Sequence, residues 1–75
     1  MVRVERVRHI TPGANGIHLA VLDLQVSTVA ELPALNSIVD GMKVQKGTIA
    51  EVVQTGDYPT LDADGKWYFD GAEVS

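Results

Sequence analysis

Apolar and polar positions alternate along much of this chain, with the period of two that is typical of β-strands. In the first segment, Val2, Val4 and Val7 alternate with charged residues, which predicts a half-exposed strand. The phase of the alternation slips near Glu5 and Arg6, and this slip indicates a β-bulge. The next residues contain Pro-Gly and Asn-Gly pairs within 11–16, which predict a loop.

A second strand is predicted over residues 17–26, and both of its faces are largely apolar. One face carries Ile17, Leu19, Val21, Asp23 and Gln25. The other carries His18, Ala20, Leu22, Leu24 and Val26. A strand that is apolar on both sides is typically buried on both sides. We therefore expect one face in the core of the chain and the other against a neighbouring copy.

Pairs of Asp with Gly divide the remaining residues into short segments, because both residues tolerate the positive φ of tight turns. Strands are predicted at 42–46, 48–55, 58–61 and 66–69. The segment 27–31 contains the capping-box pattern T-x-x-E. In this pattern Thr28 would cap the amide three residues on and Glu31 would reach back. Because Pro33 stops a helix, we expect one short helical turn near residues 28–32.

Short strands at turn spacings near ten residues predict an all-β fold, a small barrel or sandwich of about five to six strands. The 75 residues are expected to form a single β-rich domain spanning 1–75. A chain of this length buries only ~60–65% of its unfolded surface. Since it contains no cysteine, disulfides cannot add stability, and oligomerisation is the leading way to bury more surface.

The charge is uneven, with three arginines in the first ten residues and most acidic residues in the last third. The net charge of −4 argues against general nucleic-acid binding. No apolar run approaches the ~18 residues that cross a membrane, and the Arg/Val alternation at the start is unlike a signal peptide. We expect neither nucleic acid nor membrane as a partner, and we expect Arg3, Arg6 and Arg8 to meet an acidic surface.

The two histidines are candidates for a shared metal ion. If Ile10 pairs with Ile17 around the loop, His9 lies opposite His18, with Cβ atoms ~5 Å apart. Zn²⁺ requires three or four ligands, and the pattern supplies no third. We therefore predict ordinary sheet histidines and no metal site.

The segment 62–65, Asp-Ala-Asp-Gly, is similar to the start of a calcium-binding loop. Lys66 and Trp67 follow where an EF-hand needs an oxygen ligand and a glycine, so a hairpin turn is predicted instead. None of the serines lies in G-x-S-x-G, and the metalloprotease and nucleotide-binding motifs are absent from the sequence. We predict a protein that is not an enzyme and needs no cofactor.

Three consecutive aromatic residues mark the last predicted strand. Trp67 and Phe69 point to one side, which we expect to be the core, and Tyr68 points to the other. Tyr58 and Tyr68 would then form an exposed aromatic patch of the kind that is enriched at interfaces.

Residues 40–53 resemble part of a biotinyl or lipoyl carrier domain, whose pattern is G-D-x-V-x-K-G-x-x-L-A-x-V-E. In that family the modified lysine would lie in the hairpin after Val53. Here that hairpin reads Gln-Thr-Gly-Asp-Tyr-Pro and has no lysine. The resemblance therefore implies a related arrangement of turns and no carrier role.

A second resemblance covers more of the chain, from residue 27 to 71. The pattern S-x-V-A-[DE]-L-P is matched at 27–33, G-[ST]-x-A-x-V at 47–52, and L-x-x-[DN]-G-x-W-Y at 61–68. These motifs resemble the C-terminal part of small tailed-phage and prophage virion proteins, which are head decoration, fibre-base or tail accessory components. The resemblance implies a non-enzymatic virion component, made in the bacterial host cytoplasm, whose partners are itself and other virion proteins.

Two functional hypotheses follow. The first is a homo-oligomeric virion component, a trimer or larger ring. Its predicted interface residues are Arg3, Arg6, Arg8, Leu19, Val21, Leu22, Leu24, Tyr58 and Tyr68. The second is a monomeric acidic module that regulates or inhibits a basic partner through its C-terminal carboxylates. A tight patch of these acids would favour the second hypothesis, whereas acids dispersed among turns would favour plain solubility.

Overall fold

A computed structural model describes residues 1–74. Eight strands form one mixed sheet, in the order β3-β4-β2-β5-β6-β7-β8, with β1 paired to β2. Their bounds are β1 (Arg3–Thr11), β2 (His18–Val26), β3 (Ile38–Val39), β4 (Met42–Val44), β5 (Ile49–Val52), β6 (Thr60–Leu61), β7 (Trp67–Phe69) and β8 (Ala72–Val74). The all-β prediction is confirmed. Within residues 1–74 the end strands β3 and β8 do not pair with each other, so the sheet is not closed.

The longest feature is the antiparallel hairpin of β1 and β2. Its register shifts twice, between Val4 and Arg6 and between Val7 and His9. The first shift confirms the predicted bulge. The connecting loop contains a 3₁₀ turn, Ala14–Gly16, and Asn15 and Gly16 both have positive φ, as expected for an Asn-Gly pair.

β2 is the central strand, because two further strands pair with its other edge. The first part of β2 pairs in parallel with β4, and the last part pairs in parallel with β5. Between these two ladders the buried Oγ1 of Thr48 accepts a hydrogen bond of 3.1 Å from the Leu22 N–H. The Thr48 hydroxyl takes the place of a backbone acceptor where one ladder ends and the other begins, so the Leu22 N–H remains hydrogen-bonded.

Aspartate-glycine turns close three hairpins. Asp40 and Gly41 join β3 to β4, and Asp70 and Gly71 join β7 to β8, with positive φ at all four residues. The predicted turn at 62–65 is confirmed between β6 and β7, where the Gly65 N–H donates to the Asp62 carbonyl at 3.0 Å.

The core lies on one face of the curved sheet and under the segment that precedes β3. Its buried cluster consists of Ala20, Leu22, Leu24, Val44, Ala50, Leu61 and Trp67. Leu32 and Leu35, from the covering segment, pack against this cluster. Trp67 connects the sheet to the covering segment, since its Nε1 donates to the Pro33 carbonyl at 2.8 Å.

The predicted helical turn near 28–32 is a 3₁₀ turn, Val29–Glu31, but the capping differs from the prediction. The Thr28 side chain makes no capping hydrogen bond. Glu31 does reach back, and its carboxylate accepts from the Ser27 N–H at 2.8 Å. The hydrogen bond with the amino group of Met1, and then that with Ser27, hold the pKa of Glu31 below its usual range.

Within residues 1–74, no helix has the length and hydropathy needed to cross a membrane.

Two details of the predicted strands are wrong or incomplete. Phe69 is 37% exposed rather than buried, because it sits at the end of β7 beside the exposed Ala72. β3 and β8 were not predicted, since segments of two and three residues are too short to show a period.

Candidate functional site

In the part of the chain that the structure describes, one face of the sheet lacks the covering segment that lies over the core face. Residues paired in a β-ladder share a face, so the pairing register shows which side chains lie together. We call this side of the sheet the second face. It carries Ile38, Lys43, Leu19, Val21, Asp23, Gln25, Ile49, Glu51, Thr60 and Tyr68.

An apolar strip crosses the middle of the second face. Leu19 and Val21 on β2 and Ile49 on β5 are all half-buried, and Ile38 on β3 is 53% exposed. A Cβ placed on Gly47 would lie 3.6 Å from Val21 Cγ1, so the backbone of Gly47 lies beside this valine. The strip is therefore a shallow apolar surface, of the kind that forms the centre of protein interfaces.

The predicted arginines lie at one side of this strip, and they are already paired within the chain. Asp23 accepts from Arg6 Nε at 3.1 Å and from Arg8 Nε at 2.6 Å. Arg8 also donates to the Gly47 carbonyl, and Arg3 pairs with Glu5 at 2.8 Å. Contact of the three arginines with an acidic surface of a partner stays a prediction, and within the chain Asp23 and Glu5 already pair with them.

Leu22 and Leu24 were predicted at the interface, but they belong to the core of the chain itself. Their exposed fractions are 0% and 2%. Side chains alternate along a strand, so these two leucines point away from Leu19 and Val21. Of the four apolar interface candidates on β2, only the odd-numbered pair lies on the second face.

The two tyrosines border two different depressions of the surface. Tyr58 is 56% exposed and borders a depression of about 290 Å³, together with Asp23, Ile49 and Glu51. Tyr68 borders another of about 370 Å³ with Lys46 and Asp62. Both depressions are shallow and open, so they suit protruding side chains of a partner better than an enclosed small molecule.

Tyr68 is held in place by the turn that precedes its strand. Its hydroxyl donates to Asp64 Oδ2 at 2.6 Å. This hydrogen bond raises the pKa of Tyr68 to about 12, with smaller contributions from burial and from the charges of Asp64, Glu73 and Asp62. The same bond, followed by that from the Lys66 N–H, holds the pKa of Asp64 below its usual range. Tyr68 is thus a fixed neutral donor at physiological pH.

The assumed register that would bring the histidines together is wrong. Ile10 pairs with Ala20, and His9 pairs with Val21. Residues 18 and 21 of one strand point to opposite faces, so His9 and His18 lie on opposite sides of the sheet. Among residues 1–74, no group of three or more His, Asp or Glu side chains is arranged to hold a metal ion.

No family model, curated protein or solved structure matches this chain. The second face must therefore be interpreted from its own geometry and chemistry.

Most members of the second face had no predicted role at an interface. Ile49 and Glu51 lie on β5 and Thr60 on β6, and Gln25 Nε2 donates to Glu51 Oε1 at 3.2 Å. Alternation over 48–53 shows that Ile49 and Glu51 share a side. It cannot show that this side faces the same way as Leu19, because that depends on which strands become neighbours.

The C-terminal acids do not form one tight patch. Asp62 and Asp64 lie in the turn before β7, while Asp70 lies in the turn after it. Glu73, on β8, pairs with Tyr68 in the ladder and lies 3.9 Å from Lys66 Nζ. This dispersion is more typical of ordinary surface acids than of a single patch that binds a basic partner.

Proposed function

We propose that this protein is a non-enzymatic structural or accessory component of a phage or prophage virion, and that it acts by association. The observation that carries the proposal is the second face, an open sheet surface with a central apolar strip. A neighbouring copy, or another virion protein, would cover Leu19, Val21 and Ile49.

The chemistry of the second face suits association. Its centre is apolar, and its rim carries the Arg6/Arg8/Asp23 ion-pair cluster and the Gln25–Glu51 hydrogen bond. Protein interfaces share this division into an apolar centre and a polar rim. Charged groups at such a rim favour correct orientation of the partner more than raw affinity.

The virion assignment is supported by the three sequence motifs at 27–33, 47–52 and 61–68, which resemble those of small virion proteins. On this proposal the chain is made in the cytoplasm of a bacterial host and then joins a head or tail. Its partners are further copies of itself and the capsid or tail proteins that it contacts.

The association is tested by light scattering after size exclusion, over a range of protein concentrations. We expect an oligomer, and we expect Leu19→Lys to dissociate it by placing a charge in the apolar strip. Phe69→Lys is the matched control, because it adds the same charge to an exposed apolar residue outside the second face. A monomer at all concentrations would contradict self-association and bring forward the monomeric acidic module.

The virion assignment is tested separately, by mass spectrometry of purified phage particles from the encoding strain. We expect the chain in the particles at a copy number that is a multiple of its oligomeric state. Its absence from intact particles would contradict the virion role.

A further inference from the structure

The outer edge of β1 is open for pairing. β1 is nine residues long, and within residues 1–74 it pairs with β2 alone. A strand at the edge of a sheet presents a row of backbone N–H and C=O groups that can accept another strand. This edge is distinct from the second face, which is formed by side chains that project from one side of the sheet.

Some apolar side chains of β1 lie on the core face of the sheet but remain exposed, because no other part of residues 1–74 packs over them. Val4, Val7 and Ile10 pair with Leu24, Leu22 and Ala20, which are all buried in the core. Paired residues share a face, so the three β1 residues point towards the core side. Val4 packs against the core, but Val7 is 42% exposed and Ile10 is 48% exposed.

We propose that β1 pairs antiparallel with β1 of a second copy, about a two-fold axis that passes through Val7. In this register Val7 faces Val7 of the second copy, and Val4 faces Ile10 on either side of the axis. The three apolar residues are evenly spaced in sequence, so the arrangement is self-complementary, as a two-fold interface requires. The exposed valines and isoleucines would cover each other and join the two core faces.

The charges of β1 are compatible with this register. Glu5 faces His9 of the second copy, whereas Arg6 faces Arg8. Because Asp23 binds both Arg6 and Arg8 within each chain, this contact between like charges is compensated.

The shape of the strand also limits the choice of partner. Two bulges and several charged residues discourage pairing with an unrelated flat strand. A second copy has the same twist and the same spacing of apolar residues, so it is the partner that fits. The inference does not rest on the proposed virion role.

A single-cysteine experiment tests the register directly, because the chain has no cysteine of its own. Facing residues of antiparallel strands have Cα atoms ~4.5–5.5 Å apart, within the range that a disulfide spans. We expect Val7→Cys to form a disulfide-linked dimer under mild oxidation, at least tenfold faster than the control Phe69→Cys. A rate no higher than that of the control would overturn the proposal.

A mixed experiment fixes the register. Val4→Cys and Ile10→Cys should cross-link to each other when mixed, while each alone should not, since identical positions would lie ~20 Å apart. Cross-linking of each variant with itself, without a mixed product, would also overturn the proposal.

The combined variant Leu19→Lys/Val7→Cys separates this inference from the proposed function. Cross-linking that persists in this variant supports the β1 interface whether or not the second face associates. Cross-linking that is lost together with the oligomer of the second face would show that β1 has no interface of its own.

Discussion

Thr48 is a small residue with a large structural role. It is completely buried, and its hydroxyl accepts from the Leu22 backbone at the point where β2 passes from β4 to β5. A buried backbone N–H without a partner is costly, so this hydroxyl stabilises the interruption between the two parallel ladders.

We expect Thr48→Val to lower the free energy of unfolding by ~1–3 kcal/mol, because the shape is kept and the Leu22 N–H loses its acceptor. Urea denaturation measures the change. Thr48→Ser, which keeps the hydroxyl, should cost less than Thr48→Val. Thr60→Val, at an exposed threonine, should change stability by less than ~0.5 kcal/mol. Equal stability of Thr48→Val and the wild type would show that water or a shifted backbone replaces the hydroxyl.

The Tyr68–Asp64 pair gives the protein a defined response to pH. The pKa of Tyr68 in the folded protein is about 12, above the ~10 of an unfolded tyrosine. Its stabilising contribution is thus complete below pH ~10 and is lost as the pH rises through about 12. The pKa of Asp64 is lowered, so its contribution is present above ~3.9 and is lost as the pH falls through the lowered value.

In a Tyr58→Phe background, tyrosinate absorbance reports Tyr68 alone. We expect titration near pH 12 in this protein, and a shift towards ~10 when Asp64→Asn removes the charged acceptor. Asp70→Asn, at the turn on the other end of β7, is the control and should leave the titration near its original position. Titration near 10 with Asp64 intact would mean that the hydrogen bond does not form in solution.

At the scale of the element, the Asp-Gly turns set where strands reverse. The two-residue turns at 40–41 and 70–71 have positive φ at both residues, the signature of a type I′ turn. Such turns follow the natural twist of a hairpin, so they fix the registers Val39 with Met42 and Phe69 with Ala72.

The turn at 70–71 can be tested at Gly71, whose φ is +82° with nothing within 4 Å of an added Cβ. Backbone conformation alone therefore decides the effect, and Gly71→Ala should destabilise the protein by ~1 kcal/mol. Gly71→Asn should cost less, because asparagine tolerates positive φ better. Thermal unfolding of the three proteins measures the order, and an alanine variant as stable as the glycine protein would contradict it.

At the scale of the whole molecule, the chain buries as much surface as a compact monomer should. Its accessible surface is 4498 Å² for 8.1 kDa, and compact monomers of this mass expose about 4,500 Å². Association through the second face or through β1 would therefore add to a fold that already has a core, rather than complete an unfinished one.

We expect the molecule to unfold in one cooperative step. Trp67 belongs to the same buried cluster as Leu22 and Leu24, so the core and the central strand should be lost together. Tryptophan fluorescence and far-UV circular dichroism should then give the same urea midpoint. Separate midpoints would show that β6–β8 unfold independently of the β1–β2 hairpin.

The sequence predicted the features that depend on neighbouring residues. Alternation predicted the strands, the slip near Glu5 predicted a bulge, and the Asp-Gly pairs predicted the hairpin turns. It also placed Trp67 in the core. These features are local, because side-chain period and turn conformation are properties of a few consecutive residues.

The features that needed the tertiary structure are those set by which strands become neighbours. Alternation placed Leu22 and Leu24 opposite Leu19 and Val21, but both faces of the strand are apolar, and only the folded structure shows that Leu22 and Leu24 form the core. The pairing of β2 with β5 joined Ile49 to the second face, and the antiparallel pairing of β1 with β2 gave Arg6 and Arg8 a shared partner in Asp23. A pattern with a period of two is identical on either face. The side that is buried is therefore decided by long-range pairing and packing, which a local pattern does not encode.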